Sequence, residues 1–177
     1  MDKSIVIEGE ITQEVINVLI ELMKTVIGEN GVGVILKNIN VEENATGRKI
    51  VYAFAESTTN ILGKQGAFAT LRQVGRELAK VMMTKHKKED WEFVLRTALN
   101  DLGFAQQIEM ESEQAFICNC VFYNILQNNN LKPIEHSVCW AGWGFIEGFM
   151  KALEGVKGIK WESRDVLANR CKFDYIR

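Results

Sequence analysis

The chain has 177 residues, of which 47% are hydrophobic and 25% are charged, and it contains a single proline. These values exclude collagen-like, low-complexity and disordered chains, and they predict one compact domain over 1–177 that needs neither a disulfide nor a metal merely to fold. The 21 Lys and Arg residues are balanced by 23 Asp and Glu residues, which argues against nucleic acid as a partner.

The N-terminus and the cysteines indicate a cytoplasmic protein. Residues 1–5 lack the long apolar region of a signal peptide, and no apolar run reaches the roughly 20 residues that a membrane span requires. The four cysteines, in a chain without export signals, are more typical of thiols or metal ligands than of disulfides. We therefore expect a reduced compartment and no membrane span.

The first part of the chain is predicted to be helical. Apolar residues recur every three or four positions in 12–28, 60–83 and 89–103, which predicts three amphipathic helices. Polar residues in 40–49 predict a loop. The short apolar segment 50–55 fits a strand and the start of a helix equally well.

The second part of the chain is predicted to combine two hairpins with one helix. Residues 104–111 alternate between apolar and polar, and 115–125 is apolar on both faces, so these segments predict a first pair of strands. The glycine-containing helix 135–153 follows, and 159–165 and 171–176 predict a second pair. This order predicts an α+β fold in which an antiparallel sheet of about four strands packs against several long helices.

Familiar catalytic and nucleotide-binding motifs do not occur. Residues 63–66 resemble a phosphate loop, but they lack the earlier glycine and the Ser or Thr of the Walker pattern. There is no nucleophile elbow, no dinucleotide fingerprint and no flavin signal, and only His86 and His136 are available as an imidazole base. The sequence therefore gives no support to an ordinary hydrolase, and it lacks the motifs that a nucleotide-dependent oxidoreductase needs.

The segment that stands out begins at His136 and continues through two cysteines. Cys139 opens the predicted helix and Cys171 opens the last strand, and thiolate, imidazole and carboxylate are the ligand types that zinc accepts. The same two cysteines also fit small core residues, because free cysteine is often buried. Cys118 and Cys120, which alternate on the predicted strand 115–125, fit a core or a pocket wall better than a metal site.

This part of the chain resembles the 4-vinyl reductase domain family, also called hydrocarbon-binding domains. The resemblance rests on P-x-x-H-x-V-C-W from Pro133, on G-x-x-x-G, on a glutamate 23 residues after Cys139, and on C-x-F from Cys171. It is most specific over 133–175 and extends more weakly upstream to about 55. The resemblance implies the fold shared by subunits of the TRAPP vesicle-transport complex and by ligand-binding domains of nitric oxide signalling.

The resemblance also implies a structural zinc site. Sensor members of the family hold zinc with three cysteines and a glutamate, and these positions fall on Cys139, Glu162, Asp165 and Cys171. Asp165 stands where those members have a cysteine, so a site with two thiolates and two carboxylates would bind zinc more weakly. His136 and Cys120 are alternative ligands.

The function implied by the resemblance is non-catalytic binding of a small hydrophobic or aromatic molecule. The ligand would occupy a cavity between the sheet and the long helices, and the predicted wall residues are Phe104, Phe116, Cys118, Phe122 and Trp143. We expect an archaeal-type, stand-alone sensor or carrier that forms a homodimer. Two alternatives are an interaction scaffold like the TRAPP subunits and an enzyme with a catalytic thiol at Cys139.

Overall fold

The computed structural model describes residues 10–104 and 107–177. The N-terminal residues 1–5 and two residues of the predicted strand 104–111, Ala105 and Gln106, lie outside the described residues. The helices are α1 (Gln13–Lys37), α2 (Gly47–Thr84), α3 (Trp91–Asp101), α4 (Tyr123–Asn128) and α5 (Val138–Glu154), with a 3-10 turn at Lys88–Asp90. The strands are β1 (Gln107–Met110), β2 (Gln114–Cys118), β3 (Gly158–Asp165) and β4 (Arg170–Ile176).

The four strands form one antiparallel sheet in the order β1-β2-β4-β3. Two hairpins, β1-β2 and β3-β4, therefore meet along β2 and β4, where Ile117 lies opposite Cys171. In β3, Trp161 pairs with Phe173 and Ser163 pairs with Lys172, so Glu162 is an extra residue that forms a β-bulge. The predicted α+β class and the antiparallel sheet are confirmed.

The two longest helices are each bent at one glycine. Gly28 in α1 has φ 82° and ψ 160°, and Gly63 in α2 has φ 75° and ψ 164°. Only glycine adopts this backbone region readily, so each helix changes direction there and then resumes. The predicted end of the first helix at Gly28 is thus a bend, and 50–55 belongs to α2. Within 10–104 and 107–177, no helix is both long enough and apolar enough to cross a bilayer.

The central contact of the fold is the crossing of α2 and α5, where two glycines bring the helix backbones together. A Cβ atom on Gly75 of α2 would lie 2.0 Å from the carbonyl oxygen of Ala141, and one on Gly144 of α5 would lie 1.9 Å from that of Arg72. Phe145 and Phe149 continue the buried face of α5 toward the sheet. The prediction that this glycine-containing helix packs tightly is confirmed.

One predicted strand is wrong over more than half of its length. Strand β2 ends at Cys118, because Asn119 adopts a left-handed conformation with φ 55° and its N–H donates to the carbonyl oxygen of Asn169 at 2.8 Å. The chain then turns into the short helix α4. Cys120 and Phe122 therefore do not alternate with Cys118 on one strand, as 115–125 predicted.

Candidate functional site

A cavity of about 110 Å³ lies where α1, α2 and α5 face the sheet. Its lining is almost entirely apolar. The residues that line it are Leu19, Met23, Val51, Phe54, Leu71, Val74, Gly75, Leu78, Leu99, Phe104, Ile117, Cys120, Phe122, Pro133, Ile134, Val138, Cys139, Ala141, Gly142, Phe145, Trp161, Cys171 and Phe173. Because every layer of the fold contributes, the cavity is a property of the tertiary packing rather than of one element.

The structure places two of the five predicted wall residues at this cavity, namely Phe104 and Phe122, whose rings lie 6.1 Å apart. Phe116 and Cys118 are buried but do not line it, because Ile117 between them faces the cavity and neighbouring strand residues point to opposite faces. Trp143 is buried beside the cavity, and its Nε1–H donates to the carbonyl oxygen of Ile159 at 3.0 Å.

Three of the four cysteines line the cavity: Cys120, Cys139 and Cys171. Burial raises the pKa of the Cys139 thiol to about 12 and that of Cys120 to about 11. Both thiols are therefore protonated and neutral near pH 7. The surroundings of Cys139 thus do not favour the thiolate that a catalytic cysteine requires.

The predicted zinc ligands separate into two interior and two exposed residues. Cys139 and Cys171 line the cavity, whereas Glu162 and Asp165 are exposed, and Asp165 Oδ1 accepts a hydrogen bond from the Ala168 N–H at 3.0 Å. In the part of the chain that the structure describes, no three His, Cys, Asp or Glu side chains are grouped so as to hold a metal ion. Zinc stays a prediction that rests on the resemblance.

Arg164 occupies the position beside Cys171, and sequence reasoning missed it. The bulge at Glu162 changes which β3 side chains share a face, so Arg164 lies directly opposite Cys171. Its Nη1 donates to Cys171 Sγ at 3.4 Å, its Nη2 donates to Asn169 Oδ1, and its guanidinium lies 3.9 Å from the ring centroid of Tyr123. Simple alternation along the strand gives no signal for this placement, because the bulge depends on pairing with β4.

His136 lies buried at the start of α5. Its ring stacks on Tyr52 with centroids 4.1 Å apart and planes 10° apart, and its Nδ1 accepts the Val138 N–H at 3.2 Å. Its Nε2 is buried and has no hydrogen-bond partner among the described residues. Burial lowers the pKa of His136 from 6.5 to about 4, so the imidazole is neutral in the folded protein at pH 7.

This burial predicts a loss of stability in mild acid. Because the unfolded chain binds the His136 proton first, the free energy of unfolding is constant above the unfolded pKa of 6.5 and falls as the pH drops from 6.5 to about 4. The expected loss across that window is about 3 kcal/mol, at ~1.4 kcal/mol per pH unit. Urea unfolding at several pH values measures it.

His136→Phe keeps an aromatic ring against Tyr52 and removes the titrating group. We therefore expect the free energy of unfolding of this variant to change little between pH 4 and pH 6.5. His86→Ala is the matched control, because His86 is exposed. An unchanged slope in His136→Phe would show that other groups cause the acid sensitivity.

Comparisons of the chain with protein-family models, with curated proteins and with solved structures found no match. Membership of the 4-vinyl reductase family therefore stays a prediction carried by the motif residues between 133 and 175.

Proposed function

We propose that the chain is a non-catalytic module that binds a small hydrophobic molecule in the cavity between α1, α2, α5 and the sheet. The observation that carries the proposal is the cavity itself, about 110 Å³ in volume and almost wholly apolar. An empty cavity of this size costs about 2–3 kcal/mol of stability, at roughly 24 cal/mol per Å³. An apolar ligand that fills the space recovers that free energy, and apolar cavities of roughly 150 Å³ bind benzene.

The resemblance to hydrocarbon-binding domains supports the same function and extends it to a sensor or carrier that forms a homodimer with a structural zinc. Cys139 and Cys171 are the residues that would contribute thiolates to such a zinc. Native mass spectrometry of protein purified without chelators, alongside Cys139→Ser, reports oligomeric state, bound metal and any retained ligand in one measurement.

The cavity is tested with benzene as the probe and with a variant that fills the space. We expect benzene at ten times its dissociation constant to stabilise the wild-type protein by about 1.4 kcal/mol, which raises the melting temperature by about 3–6 °C. Ala141→Leu places three further carbon atoms at the cavity wall, so we expect its affinity for benzene to fall at least tenfold.

Ala152→Leu is the matched control, because Ala152 lies on the same helix and is exposed. We expect it to bind benzene like the wild-type protein. The proposal fails if benzene stabilises no form of the protein, or if Ala141→Leu binds benzene as tightly as Ala152→Leu does.

A further inference from the structure

Helix α5 contains three glycines, and its packing against α2 explains only two of them. A Cβ atom on Gly144 would lie 1.9 Å from a backbone oxygen of α2, and one on Gly148 would lie 2.7 Å from an α2 side chain. Neither position has room for a larger residue. A Cβ atom on Gly142, in contrast, would meet only Ile117 Cδ1, at 3.4 Å, apart from the adjacent residues and the backbone of α5. This distance is an ordinary van der Waals contact, so an alanine fits there.

The backbone conformation does not require a glycine at position 142 either. Gly142 lies inside α5, and its φ is not in the left-handed region. In a helix interior, glycine is less favourable than every residue except proline, so an alanine would make α5 more stable. Positions that break a local rule at a cost in stability are often functional. The glycine therefore needs an explanation outside helix packing.

The space in front of Gly142 belongs to the cavity. Gly142 lines the cavity from α5, and Ile117 lines it from β2. A Cβ atom that approaches Ile117 from α5 would therefore lie between the helix and the sheet, where the cavity is. The cavity volume is about 110 Å³, which is already less than the roughly 150 Å³ of a cavity that binds benzene. One additional methyl group in this space thus removes room that a ligand needs.

We infer that Gly142 determines the upper size limit of the ligand, because its missing side chain leaves the room that a ring of six carbon atoms occupies. The inference rests on the proposed function and narrows it from any small hydrophobic molecule to one about the size of a single ring. Gly142 is thereby assigned as a specificity-determining residue.

The test compares benzene with xenon, a smaller apolar probe that such cavities also bind. We expect Gly142→Ala to lower the affinity for benzene about tenfold, because the added methyl group overpacks the occupied cavity, while the affinity for xenon changes less than about twofold. NMR titrations measure both affinities. A general disturbance of the site would weaken both probes alike, so the ratio of the two affinities reports the available space.

The ligand-free Gly142→Ala variant should also be more stable than the wild-type protein. We expect its melting temperature to rise by about 2–6 °C, because alanine favours the helix and its methyl group is buried against Ile117. Gly33→Ala is the matched control, since a Cβ atom there meets no clash and Gly33 does not line the cavity. We expect this control to bind benzene like the wild-type protein.

A second substitution tests whether the effect is one of space. Ile117→Val removes the Cδ1 atom that would face the new methyl group, so the double variant Gly142→Ala/Ile117→Val should recover most of the lost affinity for benzene. If Gly142→Ala binds benzene as tightly as the wild-type protein, melts below it, or is not rescued by Ile117→Val, the inference is overturned and benzene binding by the wild-type protein still supports the proposed function. If benzene binds no form of the protein, the proposed function fails and the inference fails with it.

Discussion

Gly144→Ala is expected to destabilise the protein by about 3–5 kcal/mol, which lowers its melting temperature by roughly 6–20 °C. The added Cβ atom would lie 1.9 Å from the carbonyl oxygen and 2.7 Å from the carbonyl carbon of Arg72. These are backbone atoms of α2, so the clash is relieved only if the two helices move apart. The same separation would also disturb the cavity, which both helices line.

Gly33→Ala is the control for the effect of glycine on a helix. Gly33 lies in α1, and a Cβ atom there would have no atom within 4 Å apart from the adjacent residues and the backbone of its own helix. We expect this change to stabilise the protein by up to about 1 kcal/mol, because alanine has the higher helix propensity. Urea unfolding of both variants measures the difference, and a Gly144→Ala variant as stable as Gly33→Ala would contradict the close crossing of α2 and α5.

The spacing of hydrophobic residues along the sequence was sufficient to predict α3 and the C-terminal hairpin. In α3, the predicted stripe is buried as expected at Val94, Leu95, Ala98 and Leu99. The two strands of the C-terminal hairpin were predicted to within one residue at each end. In both cases the hydrophobic period matches the secondary structure, so the sequence of the segment alone is enough to predict the element.

The errors occur where a backbone conformation or a distant partner overrides the pattern. The left-handed Asn119 ends β2 inside an apolar run, and its N–H is bonded to Asn169, fifty residues further along the chain. Hydrophobicity alone gives no sign of this turn. The two bent helices show the same limit, because α1 continues past Gly28, where the pattern predicted its end, and α2 bends at Gly63, inside the predicted helix 60–83.

The candidate site was predictable in its composition but only in part in its geometry. Of the five residues predicted for the wall, Phe104 and Phe122 line the cavity, whereas Phe116, Cys118 and Trp143 do not. Cys139 and Cys171 also line it, but they were predicted as zinc ligands. The β-bulge in β3 then decides which neighbouring residues face inward, and bulges depend on strand pairing rather than on the sequence of one strand. For this reason the indole of Trp161, and not the carboxylate of Glu162, lines the cavity.

A buried carboxylate joins the three layers that surround this site. Glu147 of α5 is 2% exposed, and its carboxylate accepts hydrogen bonds from Arg72 Nη2 at 2.5 Å and Arg76 Nη1 at 2.7 Å, both on α2. It also accepts the backbone N–H of Ile159 in β3 at 3.4 Å. Burial alone would raise the pKa of Glu147, but the hydrogen bonds from the two arginines hold it below its usual value of 4.5.

Glu147→Gln is therefore expected to cost about 3 kcal/mol. The amide keeps the size of the side chain but leaves Arg72 and Arg76 without their counter-charge, and loss of one partner of a buried ion pair typically costs ~3–5 kcal/mol. The lower end of that range applies, because the two arginine side chains are 24% and 29% exposed and water screens part of their charge. Urea unfolding at pH 7 measures the change.

The matched control is Glu154→Gln on the exposed end of the same helix, which we expect to stay within about 0.5 kcal/mol of the wild-type protein. The pH dependence supplies a second criterion. Because the pKa of Glu147 is lowered by folding, its contribution is present above pH 4.5 and is lost as the pH falls below that value, so the two proteins should converge in stability only under acid conditions. A Glu147→Gln variant that unfolds at the wild-type urea concentration at pH 7 would show that this carboxylate does not hold α2, α5 and β3 together.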